Sequence, residues 1–171
     1  MTRNEWLAKV VLMVTNFMYT IPSIALFGAL VIITGIGNKS AIIALVIYGL
    51  LPVIRNTYVG INEVDRQIIE SAIGMGSTNK QLLFRVQLPL ALPVIFAGFR
   101  TMVIMTIALC AIASFIGAGG LGVAIWRGIT TNFPEMTLAG SFLVAFLAIF
   151  TDYILEIVEK YMKKRIWGSV T

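Results

Sequence analysis

Residues 92–116, LPVIFAGFRTMVIMTIALCAIASFI, contain a single charged side chain, that of Arg100. About 20 mainly apolar residues are enough for a helix to cross the hydrocarbon core of a bilayer. This stretch is therefore long enough to span a membrane, and it predicts a transmembrane helix. A charge inside such a helix is costly in lipid, so Arg100 is a candidate functional residue.

Three further stretches without charge flank this run. The first lies between Lys9 and Lys39, the second between Lys39 and Arg55, and the third between Glu135 and Asp152. The second and third are shorter, and they reach spanning length if Arg55 snorkels to the interface and the last helix continues past Asp152. The sequence thus predicts an all-α, polytopic membrane protein, with residues 1–171 forming a single transmembrane domain. Its four predicted spans are 10–33, 40–58, 92–116 and 136–158.

The composition excludes a water-soluble enzyme. The chain is 58% hydrophobic and 12% charged, and its mean hydropathy is +0.92. Soluble domains carry roughly twice that charged fraction, about 25%. The chain contains no histidine, which is the usual general base near neutral pH and the commonest metal ligand. We therefore expect no catalytic residue and no metal site in this chain.

The positions of Lys and Arg predict the orientation, because short loops rich in these residues stay in the cytoplasm. If both termini are cytoplasmic, 10 basic residues lie inside and 2, Lys39 and Arg127, lie outside. The basic pI of about 9.6 then reflects membrane topology. We expect membrane lipid as a partner and no nucleic acid.

The polar interval 60–89 predicts a helix, a glycine turn and a second helix on the cytoplasmic side. Asn62 is a suitable N-cap for the first helix, in which Arg66 and Glu70 have ion-pair spacing. Glycines at 74 and 76 are expected to end it. The second helix is expected to begin with the capping box of Thr78 and Gln81 and to end at Pro89, which lacks a backbone donor. Without a partner, such a feature is only an amphipathic interfacial hairpin.

A motif within this interval favours a docking role. Glu70-Ser71-Ala72, then three residues, Gly76, nine residues and Val86-Gln87-Leu88-Pro89 resemble the permease motif of bacterial ABC importers, Glu-Ala-Ala, three residues, Gly, nine residues, Ile-x-Leu-Pro. The resemblance implies a permease of the type I importer fold in which segment 60–89 couples to separate ATPase subunits. ATP and magnesium would bind to those ATPase subunits, and no cofactor would bind to this chain. The implied coupling residues are Glu70, Ser71, Ala72, Gly76, Val86, Leu88 and Pro89.

Other segments resemble the osmoprotectant branch of these permeases, which imports glycine betaine, carnitine, choline or related quaternary amines. They include 21–28, 49–58, 88–93 and 116–122. The resemblance implies a bacterial inner-membrane location, a second permease subunit and an extracytoplasmic substrate-binding protein. A methionine-type permease is an alternative. Because this branch usually carries another span before Ile21, a shortened chain that binds an ATPase without transporting is the other alternative.

Two features allow more than one interpretation. Arg100 faces a pathway or gate, or it snorkels to the cytoplasmic interface, and snorkelling is the simpler account. Residues Gly117 to Gly122 fit the G-x-G-x-x-G pattern of dinucleotide sites. That pattern needs a preceding strand, which a membrane span does not supply. We therefore expect a flexible outer loop that packs tightly or meets a binding protein.

Overall fold

The structure, a computed structural model, describes residues 5–167. Within that range every regular element is helical, which confirms the all-α prediction. A π-helical segment, Leu82–Gln87, and a short 3-10 helix, Ser114–Ile116, flank α6. The α-helices are α1 (Glu5–Thr20), α2 (Ser23–Thr34), α3 (Asn38–Asn62), α4 (Arg66–Gly74), α5 (Asn79–Gln81), α6 (Leu88–Ala113), α7 (Gly122–Thr130) and α8 (Pro134–Trp167). The chain termini, residues 1–4 and 168–171, for which a cytoplasmic location is predicted, lie outside the described residues.

Three described helices are long and apolar enough to cross a membrane, and the bent pair α1–α2 makes a fourth if it is counted as one span. The three are α3, the uninterrupted helical stretch Asn79–Ile116, and α8 over Pro134–Lys164. The predicted spans 40–58, 92–116 and 136–158 lie inside these helices, each of which extends beyond its predicted span. The prediction of about four spans agrees with this count.

The first predicted span, 10–33, is not a straight helix. The chain breaks at Ile21-Pro22, and the helices on either side are bent by 96°. Pro22 has no amide donor, and in a straight helix its ring would clash with the carbonyl of Met18, four residues earlier, so a straight helix cannot continue there. The buried Tyr48 hydroxyl of α3 donates a hydrogen bond to the freed Ile21 carbonyl. The bend is therefore supported by a neighbouring helix as well as by the proline.

Pro89 does not end a helix, contrary to the prediction. The π-helical segment Leu82–Gln87 joins α5 to α6 without a break. A π turn is wider than an α turn and often occurs as a single insertion within a longer helix. The irregular turn directly before Pro89 accommodates the lost donor, and the helix continues to Ile116. Pro93 likewise lies inside α6, not in its first turn.

The α3–α6 interface forms the centre of the fold and brings the two backbones close together. An added Cβ at Gly98 of α6 would lie 2.6 Å from Asn56 Cβ and 2.9 Å from the Pro52 carbonyl oxygen of α3. Lipid supplies no hydrophobic drive for helix association, so small residues that permit close van der Waals contact hold spans together. Buried residues of α2, α3 and α6 pack beside this contact. They include Phe27, Ala41, Ala44, Tyr48, Leu51, Leu109 and Ala113.

Helices α7 and α8 form a second close contact at the other end of the molecule from α4. An added Cβ at Gly128 would lie 2.6 Å from the Thr137 amide nitrogen, and one at Gly140 would lie 3.0 Å from the Ile125 amide nitrogen. The beginning of α8 is thereby fixed against α7. Most of α8 beyond this contact is exposed, with large apolar side chains such as Phe142 and Phe146 on its surface. This surface is suited to lipid.

We expect Gly98→Ala to destabilise the chain, because the new methyl group overlaps Asn56 and the Pro52 carbonyl. Overpacking of this kind typically costs about 1–3 kcal/mol. Thermal unfolding of the chain in lipid nanodiscs measures the effect. The matched control is Gly28→Ala in α2, where an added Cβ meets nothing within 4 Å. Equal melting temperatures for the two variants would contradict the close-contact assignment.

Candidate functional site

Helix α4 is the first part of the candidate site, and its N-cap is Asp65. The Asp65 carboxylate accepts a hydrogen bond of 2.8 Å from the Gln67 amide. The predicted N-cap, Asn62, is wrong because α3 continues through that residue. The predicted pair of Arg66 and Glu70 is confirmed at 3.1 Å on the exposed surface of α4. A pair this exposed adds little stability, so both charges remain available to a partner.

Helix α4 ends in the predicted glycine turn. Gly74 is its last residue, and Gly76 has a φ of +81°, a left-handed conformation that glycine adopts without a Cβ penalty. The amide of Ser77 donates to the Ala72 carbonyl at 3.1 Å, and that of Met75 donates to the Ser71 carbonyl at 3.0 Å. These bonds satisfy carbonyls at the end of α4. The turn reverses the chain into the next helix within a few residues.

The next helix begins with the predicted capping box. The Gln81 amide donates to the Thr78 hydroxyl at 3.4 Å, while the Gln81 side-chain oxygen accepts from the Thr78 amide at 2.9 Å. The last part of the motif follows directly: Val86 lies in the π-helical segment, and Leu88 and Pro89 open α6. All three are partly buried. They thus belong to the helix that enters the membrane.

The exposed side of α4 carries the rest of the motif. Glu70, Ser71 and Gly76 are exposed, as are the apolar side chains of Ile73 and Met75, the latter 81% exposed. Ala72 is only 3% exposed. The resemblance implies a coupling role for Ala72, but its side chain is packed inside the chain and is not available to a partner. The available docking surface is therefore formed by Glu70, Ser71, Ile73, Met75 and Gly76.

Arg100 lies at the centre of a cluster of charges between α6 and α8. Its Nη2 atom lies 2.8 Å from Asp152 Oδ2 and 3.2 Å from Glu156 Oε2, while Nη1 lies 3.2 Å from Glu159 Oε2. The Nε atom also donates to Asp152. Lys160 and Lys163 complete the cluster by pairing with Glu156 at 2.6 Å and Glu159 at 2.7 Å.

Three carboxylates of a neighbouring helix hold the Arg100 guanidinium, a contact that neither interpretation of this residue anticipated. Sequence reasoning missed this cluster, although the pairs of Glu156 with Lys160 and Glu159 with Lys163 have the i,i+4 spacing of ordinary helical ion pairs. A signal existed in the spacing of the acids at 152, 156 and 159. Residues at i, i+4 and i+7 share one face of a helix. Nothing in the sequence indicates that this face meets Arg100.

The glycine-rich segment lies between two helices and is tightly packed at its two ends, Gly117 and Gly122, while Gly119 and Gly120 are exposed. The 3-10 turn Ser114–Ile116 precedes it and α7 follows at Gly122, so the strand required for a dinucleotide site is not found at that position. An added Cβ at Gly122 would lie 2.4 Å from the Ala111 carbonyl oxygen. The Gly37 amide donates to the Ile116 carbonyl at 2.8 Å and thereby ties this segment to the start of α3. The expected tight packing is observed.

Comparison with known proteins identifies the family of this chain. The family described as "Binding-protein-dependent transport system inner membrane component" matches residues 1–165. The chain belongs to this family. Membership confirms the resemblance to importer permeases and places the chain in the inner membrane as a transport component. Membership in this family also implies ATPase and substrate-binding partners.

Several characterised relatives have a specific transport function. The carnitine transport permease OpuCB of Listeria monocytogenes is 41% identical over 93% of this chain and 73% of its own length. The choline transport permease OpuBB of Bacillus subtilis is 41% identical over 94% and 74%. The ergothioneine transport permease/ergothioneine binding protein EgtU of Helicobacter pylori is 44% identical over 85% of this chain, which spans only 26% of EgtU. These names confirm the resemblance to the osmoprotectant branch.

A solved structure shows the same fold at lower sequence identity. The inward-facing MetNI methionine ABC transporter matches with a TM-score of 0.81, covering 95% of this chain and 78% of that chain. The sequence identity is 23%. At this identity the likeness concerns the fold alone. It confirms the predicted type I importer permease architecture.

We expect Asp65→Ala to loosen α4, because the first-turn amide of Gln67 loses its acceptor. Loss of an N-cap typically costs about 1 kcal/mol, which makes backbone amides in the helix exchange roughly fivefold faster. Hydrogen exchange of residues 66–74, followed by mass spectrometry, measures this. Asp65→Asn keeps an acceptor oxygen and is the matched control. Unchanged exchange in Asp65→Ala would show that α4 does not depend on this cap.

Proposed function

We propose that this chain is the transmembrane permease subunit of an ATP-driven importer of osmoprotectants, namely quaternary amines such as glycine betaine, carnitine and choline. The chain itself performs no chemistry. A partner ATPase binds ATP and magnesium, and its motion enters through segment 60–89. The permease then alternates between conformations open to either side of the membrane.

The observation that carries this proposal is the connection between α4 and the membrane. Helix α4 exposes Glu70, Ser71 and Met75, and it packs mainly against the π-helical segment that begins the long helix 79–116. A force applied to α4 therefore acts on a helix that continues without a break to Ile116. Exposed apolar residues at the end of a membrane protein outside its spans mark an interaction surface. An ATPase subunit is the partner that the motif favours.

The substrate class is supported by the relatives. Carnitine, choline and ergothioneine, the compounds in the names of three relatives, each carry a trimethylammonium group. The methionine alternative is supported only by a fold likeness at 23% identity. The shared cationic group therefore favours a quaternary amine over methionine. Aromatic side chains such as Tyr58 and Trp126 suit membrane interfaces and are not assigned to the substrate.

The proposed assembly contains two permease subunits, two ATPase subunits and an extracytoplasmic substrate-binding protein in a bacterial inner membrane. Both termini and α4 lie on the cytoplasmic side, which is the arrangement that keeps most Lys and Arg inside. Helix α3 then runs inward, the helix 79–116 outward and α8 inward. In this orientation α7 and the glycine-rich segment face the binding protein.

Uptake by the reconstituted transporter tests the substrate class. Vesicles that contain the chain with its ATPase and binding protein should accumulate labelled glycine betaine, carnitine or choline. ATP is supplied on the side of the membrane where the ATPase subunits lie. Labelled methionine should not accumulate. Methionine uptake alone would establish the methionine-type alternative. Lack of uptake of any compound, with all partners assembled, would support a non-transporting scaffold.

The coupling role of α4 is tested by Glu70→Arg and Gly76→Pro. Glu70→Arg reverses an exposed charge, and Gly76→Pro cannot adopt the φ of +81° that the turn requires. Both should abolish uptake and the stimulation of ATP hydrolysis while membrane insertion persists. Matched controls are Glu63→Arg, an exposed acid just before α4, and Gly74→Ala, where an added Cβ meets nothing within 4 Å. Normal uptake in both test variants would refute coupling through α4.

A further inference from the structure

The charge cluster between α6 and α8 begins inside the predicted spans, at Arg100 and Asp152, and continues past the end of span 136–158 to Lys163. At a rise of 1.5 Å per residue, Arg100 lies about 24 Å along the helix from Ile116, and Asp152 lies about 27 Å along α8 from Pro134. Ile116 and Pro134 lie at the same end of the bundle, so the guanidinium and the first carboxylate are at similar depth. Glu156 and Glu159 follow one and two turns further toward the α4 side.

The cluster is electrically balanced, and Arg100 contributes the charge that crosses between helices. The carboxylates of Asp152, Glu156 and Glu159 face the cations of Arg100, Lys160 and Lys163. Both lysines belong to α8 itself and pair with acids one turn away. Arg100 alone among these cations comes from α6. Its removal would leave the carboxylate of Asp152 without the partner that it has in the described structure.

The geometry requires arginine specifically. The Nε and Nη2 atoms of Arg100 bind both oxygens of Asp152, while Nη2 and Nη1 also reach Glu156 and Glu159. Three nitrogens of one planar group thereby contact acids spread over two turns of α8. A lysine ammonium is a single point and cannot span that distance. The Arg100 and Glu159 side chains are largely buried, so breaking their pairing leaves an unpaired charge inside the contact between the two helices.

Beyond its start, α8 packs one side against α6 and exposes the other. Its start is fixed by the close contact with α7, but apolar side chains such as Phe146, Phe150 and Ile157 are exposed along the remainder. Glu159, by contrast, is only 8% exposed. The α6–α8 contact in this half of the molecule therefore includes the charged cluster as its most buried part.

We propose that Arg100 is a positioning residue that fastens α8 to α6, so that the two helices move as one body when α4 is displaced. The source of that displacement rests on the proposed function, whereas the attachment itself does not. Helix α6 continues from the coupling segment, so it receives the motion directly. Helix α8 has no such connection along the chain and follows α6 through Arg100. A displacement of α6 is thereby transmitted to α8.

The attachment is tested by measuring the distance between α6 and α8. Cys110 is first replaced by serine, and spin labels are placed at Leu92→Cys in α6 and Ile157→Cys in α8, both exposed positions. Pulsed electron paramagnetic resonance is recorded on the assembled transporter in nanodiscs, without nucleotide and with ATP plus vanadate. Labelled chains are diluted with unlabelled chains so that the distance within one chain dominates. We expect the same narrow distance distribution in both states.

The variants distinguish attachment from general packing. Arg100→Ala should broaden the distance distribution, and Arg100→Lys should do so partly. Lys160→Ala is the matched control, since it removes one cation of the same cluster that pairs only within α8; its distribution should stay narrow. The exchange Arg100→Asp with Asp152→Arg restores an opposite pair and should narrow the distribution again. In a working transporter, Arg100→Ala should lower uptake per ATP hydrolysed, whereas Lys160→Ala should leave it unchanged.

Two results would overturn the proposal. One is a change in the α6–α8 distance of the unsubstituted protein between the two nucleotide states. The other is an unchanged narrow distribution in Arg100→Ala. Neither depends on which compound is transported, so failure of every uptake assay would refute the proposed function and leave the attachment test valid. If Arg100→Ala does not insert, the α6–α8 distance distributions of Arg100→Lys and of the exchanged pair test the proposal in the same way.

Discussion

The close contact of α3 with α6 is the constraint on which the other elements depend. Gly98 allows the two backbones to approach until the Pro52 carbonyl and the Asn56 side chain lie against α6. Since lipid surrounds the spans, this contact relies on shape complementarity and van der Waals attraction in place of water exclusion. Helix α2 packs onto the pair through Phe27, and α8 joins it from the other side through Arg100. Loss of the contact would separate the elements that α6 holds together.

Polar backbone groups inside the bundle are satisfied by a neighbouring helix or by a side chain of the same helix, and this explains why irregular backbone is tolerated there. The Tyr48 hydroxyl binds the Ile21 carbonyl at the bend between α1 and α2. The Asn56 side chain donates to the Pro52 carbonyl at 2.8 Å inside α3. An unsatisfied backbone group in lipid costs several kcal/mol, so breaks survive only where a partner is near. The π-helical segment before Pro89 serves the same need within one helix.

Much of the candidate site could be predicted from local sequence. The Arg66–Glu70 pair, the turn at Gly76 and the capping box at Thr78 depend on residues close together in the chain, and all three are present. The N-cap was misplaced from Asp65 to Asn62 because α3 extends further than its uncharged core. The prediction that Pro89 ends a helix is wrong because the π turn that accommodates this proline has no simple sequence pattern. Pro22 itself indicates a helix break, but the length of the apolar run 10–33 favours a single span.

The sequence by itself determined that the chain is helical and membrane-embedded, where its long apolar runs lie and which short segment leaves the membrane to meet a partner. These properties depend on composition and on spacing within one or two helical turns. Only the tertiary structure decided that Ala72 faces inward, that α2 leaves α1 at a sharp angle and that Arg100 meets Asp152, Glu156 and Glu159. Those outcomes require residues far apart in the chain, or whole helices, to adopt one relative rotation. Close packing between helices sets that rotation, and the pattern within a single helix does not encode it.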